Sequence, residues 1–207
     1  MMKILIGTPI HEVKDYSMER WLENVAKLQK QTPADLLMVD NSPGLDYVEK
    51  VKGYCEKYGV KNYRIEHLEL PKEQEVFERV ARSREIIRHE VLFGGYDAWF
   101  SWECDQLIPT NSLGELVKII KSGNFVIVEV NSWAREVPNE PNTDGGVSLF
   151  KREILEKYSF ILEFRTAPGE PNDWETGEAR FREQAVKNGG GYVKVYGVIA
   201  PIYHLDK

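Results

Sequence analysis

Tyr96-Asp97-Ala98-Trp99-Phe100-Ser101-Trp102-Glu103-Cys104-Asp105-Gln106-Leu107-Ile108-Pro109 decides how this chain is read. An apolar, aromatic run of strand character passes straight into two carboxylates, and a proline then breaks the chain. Alternate residues of a strand share a face, so Glu103 and Asp105 can point the same way. Two like charges at the mouth of a buried strand repel each other. They cost stability unless a cation sits between them, and a divalent cation with oxygen ligands suits that place. The competing reading is a solvated acidic loop; the apolar run before the pair and Pro109 after it make the two readings about equal.

Outward from that stretch the pattern is alternating strands and helices. Residues 3–6 form a short apolar strand ending at Gly7-Thr8-Pro9. Apolar positions at Met18, Trp21, Leu22, Val25 and Leu28 recur at helical spacing over 17–31, with Ser17 as the expected N-cap. A second strand over 36–39 runs into Asp40-Asn41-Ser42-Pro43-Gly44. Then follow a helix over 46–58 stopped by Gly59, a strand over 63–68, a helix over 73–92, the aromatic strand 98–102, a helix over 112–121 and a β-branched strand over 125–130. This alternation predicts an α/β fold with a mostly parallel central sheet flanked by helices. From Asn131 onward prolines punctuate irregular segments. Helices are expected near 151–158 and 178–187, and a strand over 192–198. No internal repeat or low-complexity tract occurs, so the chain reads as a single domain, 1–207.

In a parallel α/β sheet, ligands bind beyond the carboxyl ends of the strands. Three such ends carry polar residues: Thr8-Pro9, Asp40-Asn41-Ser42 and Glu103-Cys104-Asp105. The helix around Arg82, Arg84 and Arg88 offers guanidinium groups for a phosphate or a base, against the plainer reading of a solvated basic face paired with Glu85. His204, next to Tyr203 after an apolar stretch, is the candidate neutral nitrogen ligand, which Mn²⁺ tolerates better than Mg²⁺ does.

The 207 residues carry a net charge of −6. That balance argues against a nucleic-acid scaffold but is compatible with a nucleotide held through a metal. Cys55 and Cys104 suggest neither a disulfide framework nor a zinc site. No apolar run approaches the ~20 residues of a membrane span, and Met1–Gly7 is too short for a signal peptide. A soluble cytoplasmic protein is expected.

These residues resemble GT-A-fold glycosyltransferases, especially those of the large family 2 type, in the order of parts along nearly the whole chain. The matching elements are Thr8-Pro9 after the first strand and Asp40-Asn41-Ser42 after the second. Ala81-Arg82-Ser83 stands where the family has Ala-Arg-Asn, and Glu103-Cys104-Asp105 where it has a metal-binding DxD. Asp144-Gly145-Gly146-Val147-Ser148-Leu149-Phe150-Lys151-Arg152 matches the acceptor-side segment. Gly191-Tyr192-Val193-Lys194-Val195-Tyr196 and Tyr203-His204 match the closing strand and the last metal ligand. The resemblance implies a nucleotide-sugar part over about 1–130 and an acceptor part over about 131–207. It implies that Thr8, Pro9, Asp40, Asn41, Arg82, Glu103 and Asp105 hold the donor, with Asp40 on the base. It also implies that Asp105 and His204, with Glu103, bind Mn²⁺ or Mg²⁺.

The family's general base has no literal copy here. Glu175 is favoured, with Glu178 and Asp173 as the other candidates beside Trp174, whose ring can stack on a sugar and exclude water. The three acids also fit the plainer role of favouring a helix N-terminus. The function implied is metal-dependent transfer of a sugar from a nucleoside-diphosphate sugar to an acceptor hydroxyl, and a positioned base leans towards inversion. The acceptor (saccharide, lipid-linked or protein), the sugar and the oligomeric state stay open. The alternatives are a non-catalytic nucleotide-sugar-binding protein, a sugar-phosphate nucleotidyltransferase and a metal-dependent phosphohydrolase. The nucleotidyltransferase would need a glycine-rich phosphate loop that Gly7-Thr8-Pro9-Ile10-His11 lacks, and the phosphohydrolase more carboxylates and histidines than the chain places.

Overall fold

A computed structural model describes residues 2–71, 74–130, 132–133, 141–142, 146–161 and 176–206; the side chains of 132–133, 141–142 and 176–180 are not described. The strands are β1 (Ile4–Ile10), β2 (Asp35–Asp40), β3 (Tyr63–His67), β4 (Ala98–Trp102), β5 (Gln106–Leu107), β6 (Phe125–Val130), β7 (Ser132–Trp133), β8 (Pro141–Asn142), β9 (Val147–Lys151), β10 (Gly191–Val195) and β11 (Tyr203–His204). The helices are α1 (Asp15–Gln31), α2 (Asp46–Tyr58), α3 (Val76–Phe93), α4 (Ser112–Lys121), α5 (Arg152–Leu155) and α6 (Thr176–Lys187), and a 3-10 turn, Glu12–Lys14, leads into α1.

Seven strands form one sheet in the order β10-β6-β9-β4-β1-β2-β3. β1 runs parallel to β2 and β4, β2 to β3, and β6 to β10; β9 alone is antiparallel to both its neighbours. The mostly parallel α/β sheet expected from the alternation is therefore the sheet observed. Strand alternation sorts the side chains into two layers. Ile4, Ile6, Met38, Phe100, Trp102 and Val128 face the layer that holds Met18, Trp21 and Leu22 of α1, Val51 of α2 and Leu116 of α4. Leu5, Val39, Trp99, Ile127 and Phe150 face the other, with Ile87 of α3, Ile154 of α5 and Phe181 of α6. Trp21 meets Trp102 edge-on at 5.3 Å in the first layer, and Phe160 stacks on Phe181 at 4.3 Å in the second. Both cysteines are free and buried, and burial pushes the Cys55 thiol up to about 12.

Three expectations need correction. The first strand does not stop at Ile6; it runs through Gly7-Thr8-Pro9 to Ile10. The Ile10 carbonyl accepts from Asn41 N on the β2 side. Alternation then turns Pro9 towards β4, whose pairing with β1 ends at Ser101, so the missing N–H of proline costs no ladder bond. Ser17 is not an N-cap, because the 3-10 turn carries the helix start back to Asp15; its buried hydroxyl donates to the Lys14 carbonyl inside the helix. The helix expected near 151–158 shrinks to Arg152–Leu155, because Lys151 still belongs to the central strand β9. α2 ends where Gly59 requires: φ is +66°, and its N–H caps the Cys55 and Glu56 carbonyls.

α6 is tied to the sheet by charge as well as by Phe181. Glu129 on β6 is buried, 3.1 Å from Arg182 on α6 and 3.3 Å from Lys194 on β10. Burial, and then the Glu129 charge, push the neighbouring Tyr192 hydroxyl up to about 12. Among the described residues no helix is long and apolar enough to cross a membrane.

Gly7 is a point of close approach between β1, β4 and α3. Trp99 Nε1 donates to its carbonyl at 3.0 Å. A Cβ there would lie 2.3 Å from Ile87 Cγ2 and 2.7 Å from Trp99 Nε1, both in buried side chains. Gly7→Ala therefore overpacks the joint between β1, β4 and α3. It should lower the unfolding free energy by about 1–3 kcal/mol, read from the midpoint of a urea titration at unchanged slope.

Candidate functional site

The carboxyl ends of β1, β2, β3 and β4 lie side by side along one sheet edge. Beyond β4 the chain turns: Gln106 N donates to the Glu103 carbonyl at 3.1 Å and Trp102 Nε1 to the Gln106 carbonyl at 2.8 Å. Glu103 and Asp105 thus converge through a turn, not through strand alternation, since the strand ends at Trp102. Glu103 N is held by the Gly146 carbonyl at 2.9 Å. A side chain at Gly146 would come within 2.1 Å of Gln106 Nε2 and 3.0 Å of Glu103 Oε2, so only glycine leaves these groups their places.

β5 leaves the turn and pairs antiparallel with β11, with His204 opposite Gln106. Leu205 N donates to the Asp105 carbonyl at 2.8 Å. This pairing brings His204 to the acidic turn from about a hundred residues away. One ligand atom each of Glu103, Asp105 and His204 lies within 4.8 Å of the others. Asp105 is only 1 % exposed. Two carboxylates and an imidazole at this spacing form a donor set that can hold a divalent cation. Lys14, at the end of the 3-10 turn, forms an ion pair with Asp105 Oδ2, and Tyr16 Oη lies 3.5 Å from the same oxygen.

The second cluster lies at the ends of β1, β2 and β3. Asp40 is fully buried. Its Oδ1 accepts from Ser42 N at 3.1 Å and Ser42 Oγ at 2.6 Å, and its Oδ2 lies 2.8 Å from His67 Nδ1. A carboxylate oxygen accepts, so the proton of this contact sits on Nδ1. Asn41 Nδ2 donates to Ser83 Oγ at 3.0 Å, which links β2 to α3. Thr8 is buried at the end of β1.

Arg82 is not part of this cluster. It is half-exposed and pairs with Glu78 one turn before it. The arginine on the face that meets β1 is Arg79, four residues before Ser83 and therefore on the same side of the helix. Its Nη1 lies 3.3 Å from His11 Nε2, while its buried Nε has no hydrogen-bond partner. Arg88 serves packing: it donates to the Leu155 carbonyl at 2.6 Å and pairs with Glu85.

Of the expected base residues, Asp173 and Glu175 lie outside the described residues. Glu178 falls on α6, with its side chain not described. The sequence reading missed Lys14, His11, His67 and Arg79. For Arg79 the helical spacing from Ser83 was a usable signal; the other three are single residues just past strand ends.

No protein-family model matches the chain, and no curated protein does. Solved structures do. S. aureus TarS 1-349 aligns over 95 % of this chain with a TM-score of 0.68 at 12 % identity. The mannosyltransferase PcManGT of Pyrobaculum calidifontis, in complex with GDP-Man and Mn²⁺, aligns over 95 % with 0.66 at 15 % identity. TarS 1-349 in complex with UDP-GlcNAc aligns over 94 % with 0.64 at 13 % identity. The chain spans 58 %, 55 % and 59 % of the lengths of these structures, in that order. It has the fold of these glycosyltransferases, the GT-A fold implied by its motifs.

His11 offers a check on the second cluster. Burial first, and then the Arg79 guanidinium, hold its pKa below the usual 6.5, while the Glu12 and Asp40 charges oppose them. The folded protein thus binds fewer protons here than the unfolded chain. The stability due to this site is complete above 6.5 and is lost as pH falls from 6.5 through the lowered value. An NMR titration should show His11 half-protonated below 6.5, and Arg79→Met should bring it part of the way back up.

Proposed function

We propose that this chain is a glycosyltransferase that moves a sugar from a nucleoside-diphosphate sugar to an acceptor hydroxyl, with a divalent cation held by Asp105, His204 and Glu103. The carrying observation is the meeting of Glu103, Asp105 and His204 at the carboxyl edge of the sheet. The mannosyltransferase neighbour, complexed with GDP-Man and Mn²⁺, and TarS, complexed with UDP-GlcNAc, support the donor class and the cation. When bound, the cation supplies charge neutralisation for the leaving diphosphate. The imidazole of His204 favours Mn²⁺ over Mg²⁺.

The nucleotide lies along the ends of β1, β2 and β3. Asp40 has both oxygens engaged by Ser42 and His67, so it acts through His67, whose other ring nitrogen meets a polar atom of the base. Asn41 positions the β2 end against α3 through Ser83. Thr8 and Pro9 form the wall at the end of β1. The guanidinium contact assigned to Arg82 passes to Arg79. The acceptor hydroxyl needs a base within ~2.6–3.2 Å; Glu175 takes that role, with Glu178 and Asp173 as the alternatives, and such a base gives inversion. A sugar-phosphate nucleotidyltransferase fits less well, because Gly7-Thr8-Pro9 is strand, with no room there for a phosphate loop.

Two measurements test the proposal. In calorimetry, Asp105→Ala should abolish the Mn²⁺-dependent binding of UDP or GDP; unchanged binding with and without metal would reduce the acidic turn to a structural feature. In a turnover assay, Glu175→Gln should keep donor binding and lower the rate by ~10²-fold or more. Normal turnover of that variant together with a dead Glu178→Gln would move the base one turn into α6.

A further inference from the structure

Lys14 is a charged side chain placed where the proposed cation would need a ligand. It closes the 3-10 turn directly after β1, and its backbone is fixed at both ends: Lys14 N donates to the His11 carbonyl at 2.9 Å, and Ser17 Oγ donates to the Lys14 carbonyl at 2.7 Å. Only its four-carbon stem is free to move, and the side chain is 36 % exposed while that of Asp105 is 1 % exposed. The Asp105 carbonyl accepts from Leu205 N, and β5 follows it immediately. The ammonium therefore reaches a buried carboxylate from a partly exposed stem.

We infer that Lys14 is a tethered counter-ion that competes with the divalent cation for Asp105 and transfers to the donor's diphosphate when the cation binds. This rests on the metal-and-donor reading above. An ammonium and a divalent cation repel strongly when both sit against one buried carboxylate, because little water lies between them to screen the charge. Without nucleotide, Lys14 holds Asp105 and the cation binds weakly. A nucleoside diphosphate offers the ammonium a second anionic partner beside the cation, and a lysine has three rotatable donors with which to follow it. Cation and nucleotide then strengthen each other, by the same factor in either direction. With no nucleotide present, the same ammonium keeps Glu103 and Asp105 from repelling each other.

The test reads metal binding, not turnover. Free Mn²⁺ is followed by EPR in titrations of the whole chain, with and without UDP or GDP, for the wild type, Lys14→Met and Lys14→Arg. Lys14→Met should bind Mn²⁺ alone ~10-fold or more tightly than the wild type, and the extra affinity conferred by the nucleotide should shrink several-fold; couplings between sites typically span ~5–150-fold. Lys14→Arg keeps the charge and should stay close to the wild type. Lys14→Gln, which keeps a polar head without charge, should follow Lys14→Met and serves if the methionine variant does not fold. Equal Mn²⁺ affinity and equal nucleotide response in the wild type and the uncharged variants would overturn the role of Lys14 alone. Failure of every form to bind Mn²⁺, even with nucleotide, would overturn the cation reading and this inference together.

Discussion

A carboxylate as buried as that of Asp105, placed next to the carboxylate of Glu103, is tenable only with positive charge in contact. Leaving such a group unpaired costs several kcal/mol. The turn after β1 meets that demand with the Lys14 ammonium, and β11 brings the His204 imidazole to the same pair. The backbone around the pair is fixed by Trp102 Nε1, Gln106 N and the Gly146 carbonyl. The polar architecture of the sheet edge follows from keeping one charge stable where water is scarce.

A second constraint sets the nucleotide side. Because Gly7 has no side chain, Ile87 presses onto the strand itself, and α3 lies close against β1 and β4. One and two helical turns further back along α3, about 6 and 12 Å at 1.5 Å per residue, that approach places Ser83 under Asn41 and Arg79 beside His11. A larger residue at position 7 would push the helix outward and separate these pairs, although none of them touches Gly7.

The sequence was legible where one element decides the outcome. Asp46–Tyr58, Ala98–Trp102, Ser112–Lys121 and Phe125–Val130 stand where their periodicity and flanking glycines put them. β9 was hidden because a strand buried on both faces loses its polar alternation; Val147, Ser148 and Leu149 are all buried, and Lys151-Arg152 reads like the start of a helix. At the site, the aromatic run ahead of Glu103 and Asp105 and the resemblance of Tyr203-His204 pointed to residues that do come together. Arg82 lies off the contact with β1 because composition does not give helix phase: that contact follows the Ser83 face, which holds Arg79. His67 and His11 acquire neighbours only through the order β4-β1-β2-β3, a long-range arrangement that no local pattern encodes.

The ladder that delivers His204 is two residues long on each strand. Isolated ladders of that size are marginal in water, and segments held by so few contacts open at a small fraction of the global unfolding free energy. The imidazole and the carboxylates can therefore part company while the seven-stranded sheet stays intact. Assembly of the three-residue cluster is thus a separate equilibrium from folding, with β11 as a latch. Anything that binds the assembled cluster draws the latch shut, and the free energy of closing it is subtracted from the apparent affinity of that ligand.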